Sequence, residues 1–423
     1  MEYQEKISFV RGNVSVNKRY SIKKNVIKVD EMKDIIILTD FCGPMDGKFN
    51  SRFLYLADML CTENEVELIT SNFNHGTKTY ITWKLQQTEY PITMLHERSY
   101  KKNISLRRFI SHYTWAKSVK KYLKNRKKPD VIYCAIPTLY ASYEAAKYCK
   151  KNDIRFVIDI QDLWPEAFQM VVNIPMISTL IFAPFTIIAN SIYKMADAIC
   201  AVSDTYIKRA LCVNKKCISG TTVYLGTDLD IFDKNAKGSP ILEKKDREIW
   251  LAYCGTLGSS YNLIVIFDAL KILKARGLQL KFVIMGDGSR RDEFEEKSKG
   301  LDVVFTGLLP YEQMCSLLSI CDITVNPIAH RAAQSIINKH ADYLASGLPI
   351  VSTQENEEFR KLIDDYHMGF NCNNDDAKEV ADKIELLCKD QELRIKMGEN
   401  ARRCAEECFN RKTTYFKLKE NCL

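Results

Sequence analysis

The sequence predicts an α/β protein built of two doubly wound parallel sheets. Three observations carry that prediction. Apolar, β-rich runs alternate with helical stretches from Asp34 onward. The alternation stops at a polar stretch, DKNAKGSPILEKKDR, over 233–247. It then resumes in a second series of similar length. Strands separated by helices imply parallel pairing with helices on both faces, and strands buried on both faces read as continuous apolar runs.

In chain order, IIILTD is the first buried strand, GPMDGKFNS a glycine-containing loop, RFLYLADML a helix and VELITS the next strand. VIYCAI, FVIDI and ICAVS follow, each ahead of a helical stretch, until TVYLGTDLDIF breaks the pattern. The second series has strands IWLAYCG, KFVIMG, DVVFTG, ITVNP and PIVST, with helices such as LIVIFDALKILKAR between them. Amphipathic, charged helices run from about 376 to 420. Residues 1–31 show little apolar periodicity and read as an N-terminal extension. The expected organisation is that extension, a first α/β domain over 32–232, a linker over 233–247, a second domain over 248–400, and a C-terminal helix over 401–423 that packs back on the first domain.

Composition narrows the function classes. The first thirty residues are polar and basic without an apolar core, and the fifteen cysteines are scattered with no CxxC pair. Both features point to reduced thiols and a cytoplasmic location without a metal site. The net charge of +8 is local: Arg98 to Lys128 holds twelve basic residues and no acid, which leaves the rest of the chain at −4. Such a block suits an anionic membrane, a nucleic acid or a solvated helix face. No nucleic-acid module accompanies it.

In an open parallel sheet, ligands bind at the carboxyl ends of the strands, and the informative loops lie there. Gly255 and Gly258, with Thr256 between them, follow one strand; Gly286 and Gly288 follow the next; Gly307 follows the third. Glycines at these points let backbone amides approach a phosphate at a helix N-terminus. The stretch QSIINKHADYLASGLPIVST, Gln334 to Thr353, reads as a loop, a short helix and a strand. As helix positions i, i+3 and i+7, Ser335, Asn338 and Asp342 share a face, with Lys339 adjacent. A carboxylate can accept both hydroxyls of a ribose, and a lysine at a helix N-terminus can hold a diphosphate. The competing reading is structural, with Ser335 as an N-cap and Asp342 solvated.

Taken together, CGTLGSSY, VIMGDGS, VFTGLLP, SIINKHADYLASGLPIV, ADAICAVS and DIQDLWPE make the chain resemble a family 4 retaining glycosyltransferase of the GT-B fold. Within that family it is similar to the capsule, O-antigen and exopolysaccharide enzymes that include L-fucosamine transferases. The resemblance covers about residues 32–410. It implies two Rossmann-like domains facing across a cleft, the second holding a nucleotide-sugar and the first an acceptor. The family's acid pair falls on Gln334, where the sugar-contacting Glu is replaced, and on Asp342, the ribose ligand. The family's Arg and Lys in the first loop of the second domain are missing near Thr256 and Asn262, so the resemblance assigns the phosphate charge to Lys339. In the first domain, Gly47 matches the glycine loop beside the acceptor. Gln161 falls where relatives have a sugar-lining His, and Asp162 is either a cleft residue or an N-cap. His75 and Lys78, in NFNHGTK, are placed toward the acceptor or its phosphate.

Ala167 to Tyr193 carries no charge over 27 residues. Its most apolar core, MISTLIFAPFTIIA, would be about 21 Å long as a helix at roughly 1.5 Å per residue. A bilayer core needs about 30 Å, so a dip into one leaflet suits it better than a span. A buried helix is the equal alternative. Apolar insertion beside the basic block is a two-signal way to hold a peripheral protein on anionic lipid. The expected function is a retaining glycosyltransferase on the inner face of the membrane, with a nucleotide-sugar donor, UDP-linked, a polyprenyl-diphosphate-linked acceptor, and no cofactor or metal. Asp162, Gln334 and Lys339 are its expected catalytic residues. A GT-B nucleotide-sugar epimerase and a non-catalytic GT-B scaffold subunit are the rival readings.

Overall fold

The computed structural model describes residues 32–43, 45, 51–82, 85, 87–102, 105–166, 175–330, 332 and 335–423. The N-terminal extension, Gly47 and Gln334 lie outside these residues.

The first sheet takes β1 (Asp34–Leu38), β2 (Glu65–Ser71), β5 (Ile92–Leu95), β6 (Val131–Ile136), β7 (Arg155–Ile160), β8 (Ala198–Ala201) and β9 (Thr221–Thr222). A small hairpin, β3 (Phe73–Asn74) with β4 (Thr79–Tyr80), stands beside it. The order is β5-β2-β1-β6-β7-β8-β9, and every pairing is parallel. Successive residues of a strand face opposite sides. Ile36 and Leu38 therefore join one core with Ile132, Phe156 and Trp115, while Ile35 and Ile37 join the other with Leu68, Tyr133 and Leu56. That double burial explains why DIIIL and VIYCAI are apolar throughout.

The second sheet holds β10 (Trp250–Cys254), β11 (Lys281–Met285), β12 (Val303–Gly307), β13 (Ile323–Asn326), β14 (Ile350–Ser352) and β15 (Gly369–Asn371). Its order is β12-β11-β10-β13-β14-β15, again parallel. Each sheet winds outward in two directions from its first strand, so each has a switch point where loops part and leave a crevice.

The chain passes between the domains twice. The helix Leu229–Ala236, capped by Asp228, sends Leu229 and Phe232 into the second core. The outward crossing thus falls near Thr227, ahead of the polar 233–247 stretch, because two apolar side chains outweigh the polar residues around them. The return follows Phe409, which lies in the second core, whereas Tyr415, Leu418 and Cys422 lie in the first. The two crossings pair with each other through Thr227 N to Phe409 O (2.9 Å) and Arg411 N to Thr227 O (3.0 Å).

The apolar run forms the helix Pro175–Met195, with Pro184 inside it. Ala189, Ile192 and Tyr193 are buried in the first core, whereas Leu180, Ile181 and Ile187 are 79%, 54% and 65% exposed. The helix is therefore part core and part unpartnered surface. Among the described residues no helix is long and apolar enough to cross a membrane.

Candidate functional site

A cavity of about 290 Å³ lies between the two domains. Phe41 to Gly43, beyond β1, and Gln161, beyond β7, supply the first domain's wall. Asn338 and Asp342 supply the second, one turn apart on the helix Asn338–Ala345. Thr227 and Arg411, from the crossing segments, close the side near the hinge. The Tyr311 hydroxyl donates to Asp342 Oδ1 at 2.9 Å and meets Thr227 Oγ1 at 2.8 Å. Burial pushes the Asp342 carboxyl up to about 6 against the pull of that hydrogen bond. Arg52 also lines the cavity, but its guanidinium is committed to buried Asp159 (2.9 and 3.2 Å) and to the carbonyls of Val223 and Tyr224. Gln161 Nε2 is buried without a hydrogen-bond partner among the described residues.

The glycine loops of the second domain interlock through their backbones. Gly255 N donates to Met285 O, Leu257 N to Asp287 O and Arg290 N to Leu257 O, all at 2.9 Å. A Cβ at Gly286 would lie 1.8 Å from Gly255 O, and one at Gly288 would lie 2.4 Å from Leu257 O. Only glycine permits both contacts. Thr256 is exposed, and its carbonyl accepts from the Tyr253 hydroxyl (2.8 Å). Gly307 ends β12 with φ +74. The helix after Gly258 begins only at Leu263, so Gly258 sits in a loop and not at the helix N-terminus that its spacing suggested.

The donor stretch is divided differently from the single helix face expected. Its helix starts at Asn338, so Ser335 precedes it. The Ser335 hydroxyl bonds Glu358 (2.8 Å) and Asn356 (3.1 Å). Glu358 in turn accepts from Asp204 N (2.8 Å) of the first domain, which ties the donor stretch across the interface. Asn338 and Asp342 face the interdomain cavity, but Lys339 turns away from it. The Lys339 ammonium lies 4.0 and 3.8 Å from the ring centroids of Tyr253 and Tyr261, against Gly255. It is buried without a hydrogen bond among the described residues, and burial drives it well below the usual lysine range. A buried lysine held this way is suited to an incoming anion.

On the first domain, Asp162 is not a cleft wall. Its carboxylate folds back onto Leu163 N (2.9 Å) and Trp164 Nε1 (3.1 Å), fixing the DLWP turn, and burial raises its carboxyl. That geometry fits the structural alternative for Asp162. His75 lines a smaller pocket of about 180 Å³ that shares Phe41 to Gly43 with the main cavity. Its Nε2 faces Asp40 (3.2 Å) and Glu97 (3.1 Å), and its Nδ1 meets the Tyr100 hydroxyl (3.0 Å). Burial alone would lower the imidazole, but the two carboxylates outweigh it and raise His75 to about 9. Lys78 sits at the tip of the β3–β4 hairpin with φ +61, its ammonium over the Tyr100 ring (4.5 Å).

Arg52, Tyr311, Thr227, Arg411, Asp40, Glu97 and His112 were not flagged by motif. The one local signal is an arginine opening a mostly apolar helix, RFLYLADML.

Asp40, Glu97 and His112 offer ligand atoms within 4.8 Å of one another, a spacing that a divalent cation could bridge. The hydrogen bonds argue against that use. Arg108 Nε can only donate, so His112 Nε2 accepts from it (3.3 Å) and the remaining ring proton sits on Nδ1, facing Asp40 (3.2 Å). Hydroxyls of Ser71 and Ser111 saturate Glu97. The cluster is closed by protons.

Two parallel α/β domains meeting across a cavity at their strand ends define the GT-B architecture. Residues 235–404 match the family model of group 1 glycosyl transferases. The alpha-D-kanosaminyltransferase of Streptomyces kanamyceticus is 30% identical over 176 residues, 40% of this chain and 44% of that protein. The GDP-mannose-dependent alpha-(1-6)-phosphatidylinositol dimannoside mannosyltransferase of Mycobacterium tuberculosis is 30% identical over 112 residues, 26% of this chain and 29% of that one. The chain thus matches less than half the length of these relatives. Among solved structures, sucrose-phosphate synthase from Thermosynechococcus elongatus superposes with a TM-score of 0.71 at 15% identity, over 92% of this chain and 98% of its own. Anabaena HepE with UDP-glucose gives 0.64 at 16% identity, over 92% and 98%. WaaG, a glycosyltransferase of lipopolysaccharide biosynthesis, gives 0.61 at 14% identity, over 90% and 99%. At such identities the likeness shows the fold.

Proposed function

We propose that this chain is a retaining glycosyltransferase that moves a hexosyl or N-acetylhexosaminyl unit from a nucleoside-diphosphate-sugar, UDP-linked, to a lipid-linked oligosaccharide in surface polysaccharide synthesis, at the inner face of the membrane. The observation that carries the reading is the interdomain cavity. It sets Asn338 and Asp342 of the glycosyl-transferase-like half against Gln161 and Phe41 to Gly43 of the other half. Asp342 takes the ribose hydroxyls. Lys339, beside the Gly255 loop, takes the diphosphate, whose charge grows as the glycosidic bond breaks. Catalysis on this account is preorganised electrostatic stabilisation of the leaving group. The Ser335–Glu358 contact to the first domain makes domain closure responsive to the donor stretch. Retention and the lipid-linked acceptor rest on the sequence resemblance. UDP and UDP-glucose complexes of HepE support the donor class.

The reading is tested by calorimetric titration of UDP- and GDP-sugars into wild type and Asp342→Ala. A UDP-sugar that binds wild type and loses at least tenfold in the variant upholds it. A folded wild type that binds no member of the panel sinks it and favours the scaffold alternative. An epimerase would convert the bound sugar with no acceptor present, which product analysis of the same samples reads directly.

A further inference from the structure

The interdomain cavity holds a line of hydroxyls that the transfer reading leaves without a role. Thr227 Oγ1 lies 2.8 Å from the Tyr311 hydroxyl, and that hydroxyl donates to Asp342 Oδ1 at 2.9 Å. An ionised carboxylate only accepts, and each hydroxyl has a single proton. Tyr311 spends its proton on Asp342, so the bond between the two hydroxyls takes its proton from Thr227. The chain therefore runs one way, from Thr227 to Tyr311 to Asp342, and bonds donated in one direction polarise and strengthen each other.

Both hydroxyls are held in place by groups other than the carboxylate. Tyr311 follows Pro310 as the first residue of the helix Tyr311–Ser319, and its side chain packs on the second core. Thr227 stands where the two crossings pair, with its amide on Phe409 O and its carbonyl on Arg411 N. A Cβ on the preceding residue, Gly226, would lie 2.2 Å from Phe409 O, so the crossings touch backbone to backbone. Asp342 thus meets donors whose positions are set by the crossings and by a second helix, not by its own.

We propose that Tyr311 and Thr227 are positioning residues for the nucleotide ribose: their one-way chain of hydroxyls fixes the Asp342 carboxylate that faces the cavity. The inference deepens the reading above and rests on it, since there Asp342 takes the ribose hydroxyls. The chain orients the carboxylate before the ligand arrives, which removes an ordering cost from binding. It also favours the charged carboxylate, the form with lone pairs for both ribose hydroxyls. Burial raises the Asp342 carboxyl, and the Tyr311 bond, the Arg411 charge and Thr227 pull it back. The other titratable groups facing it are Tyr311 itself and the Cys254 and Cys315 thiols, all pushed up by burial, so Asp342 is the one of these that changes charge near neutral pH.

The test is calorimetric titration of UDP-glucose, whose esterified phosphates carry no proton in this range, into the full chain between about pH 5 and 8. Wild-type affinity is expected to rise through the Asp342 step at about 6. In Tyr311→Phe the midpoint should move up by about one pH unit, the effect of losing one hydrogen bond to a charged acceptor. Thr227→Val should move it in the same direction, and Thr227→Ser, which keeps the hydroxyl, should restore it. Melting is read on each variant, and Thr227→Val with Thr227→Ser decides alone if Tyr311→Phe does not fold. A packing role would lower affinity by one factor at every pH and leave the midpoint in place; that result overturns the proposal. So would a midpoint that moves in Tyr311→Phe but not in Thr227→Val, since the chain would then not begin at the crossings. Wild type that binds UDP-glucose without a step sinks this inference and leaves glycosyl transfer standing; no binding at any pH is the failure of the donor reading on which it rests.

Discussion

Replacing Lys339 by methionine should stabilise the empty protein and cripple donor binding. Lys339 is only 8% exposed, makes no hydrogen bond among the described residues, and has two phenol rings as its neighbours. Because burial holds the amine toward its neutral form, most of the cation–π attraction is forfeited, and what remains is an unsatisfied donor. Such a group costs about 1–3 kcal/mol. Methionine matches the length, removes the polar atom and gains sulfur–aromatic contact of about 0.3–1.5 kcal/mol. A gain of about 1–3 kcal/mol corresponds to a rise of roughly 2–4 °C in Tm for each kcal/mol in a domain of this size. The same variant loses a charge-assisted hydrogen bond to the diphosphate, about 1.5–3 kcal/mol, or roughly 10- to 150-fold in UDP affinity. Differential scanning calorimetry and UDP titration read the two effects. The sign of the pH dependence also follows. Lys339 gains its proton when the anion arrives, so UDP binding takes up a proton and weakens as pH rises above the free lysine's lowered pKa. Buffers of different ionisation enthalpy would report that uptake. A Lys339→Met protein that melts lower and binds UDP as wild type does would refute the reasoning at both ends.

Three further outcomes are expected. Gly288→Ala places a Cβ 2.4 Å from Leu257 O, so the two glycine loops must separate by over half an ångström; overpacking of this kind costs about 1–3 kcal/mol, and a variant with wild-type Tm and UDP affinity would show that the loops are not locked together. UDP affinity should rise as pH climbs through about 6, where Asp342 ionises and becomes able to accept both ribose hydroxyls; Asp342→Asn should flatten that step, and its persistence would assign the titration elsewhere. His75, raised to about 9 from an unfolded value near 6.5, contributes stability that is complete below about 6.5 and is lost as pH rises through about 9. The Tm of wild type should therefore fall between pH 7 and 10 by more than that of His75→Gln, and equal slopes would count against a charged His75.

The sequence by itself determined the two doubly wound halves. Buried parallel strands must be apolar on both faces, and DIIIL, VIYCAI and WLAYC state that without help from the rest of the chain. It also marked close backbone approach, since Gly286 and Gly288 follow a strand and abut Gly255 and Leu257. It placed Asp342, whose neighbour Asn338 is a helical turn away. Tertiary structure decided what local pattern could not. Lys339 and Asp342 belong to one helix, yet only Asp342 lines the interdomain cavity, because Tyr253 and Tyr261 enclose the Lys339 amine. Asp162 turned out to hold Trp164, a choice set by a turn only two residues long. Arg52 meets Asp159 across 107 residues, Tyr311 meets Asp342 across 31, and Glu358 reaches Asp204 across 154. No periodicity records such pairings, because each depends on where the ends of different strands come together, and that is fixed by strand order and by the two crossings between domains.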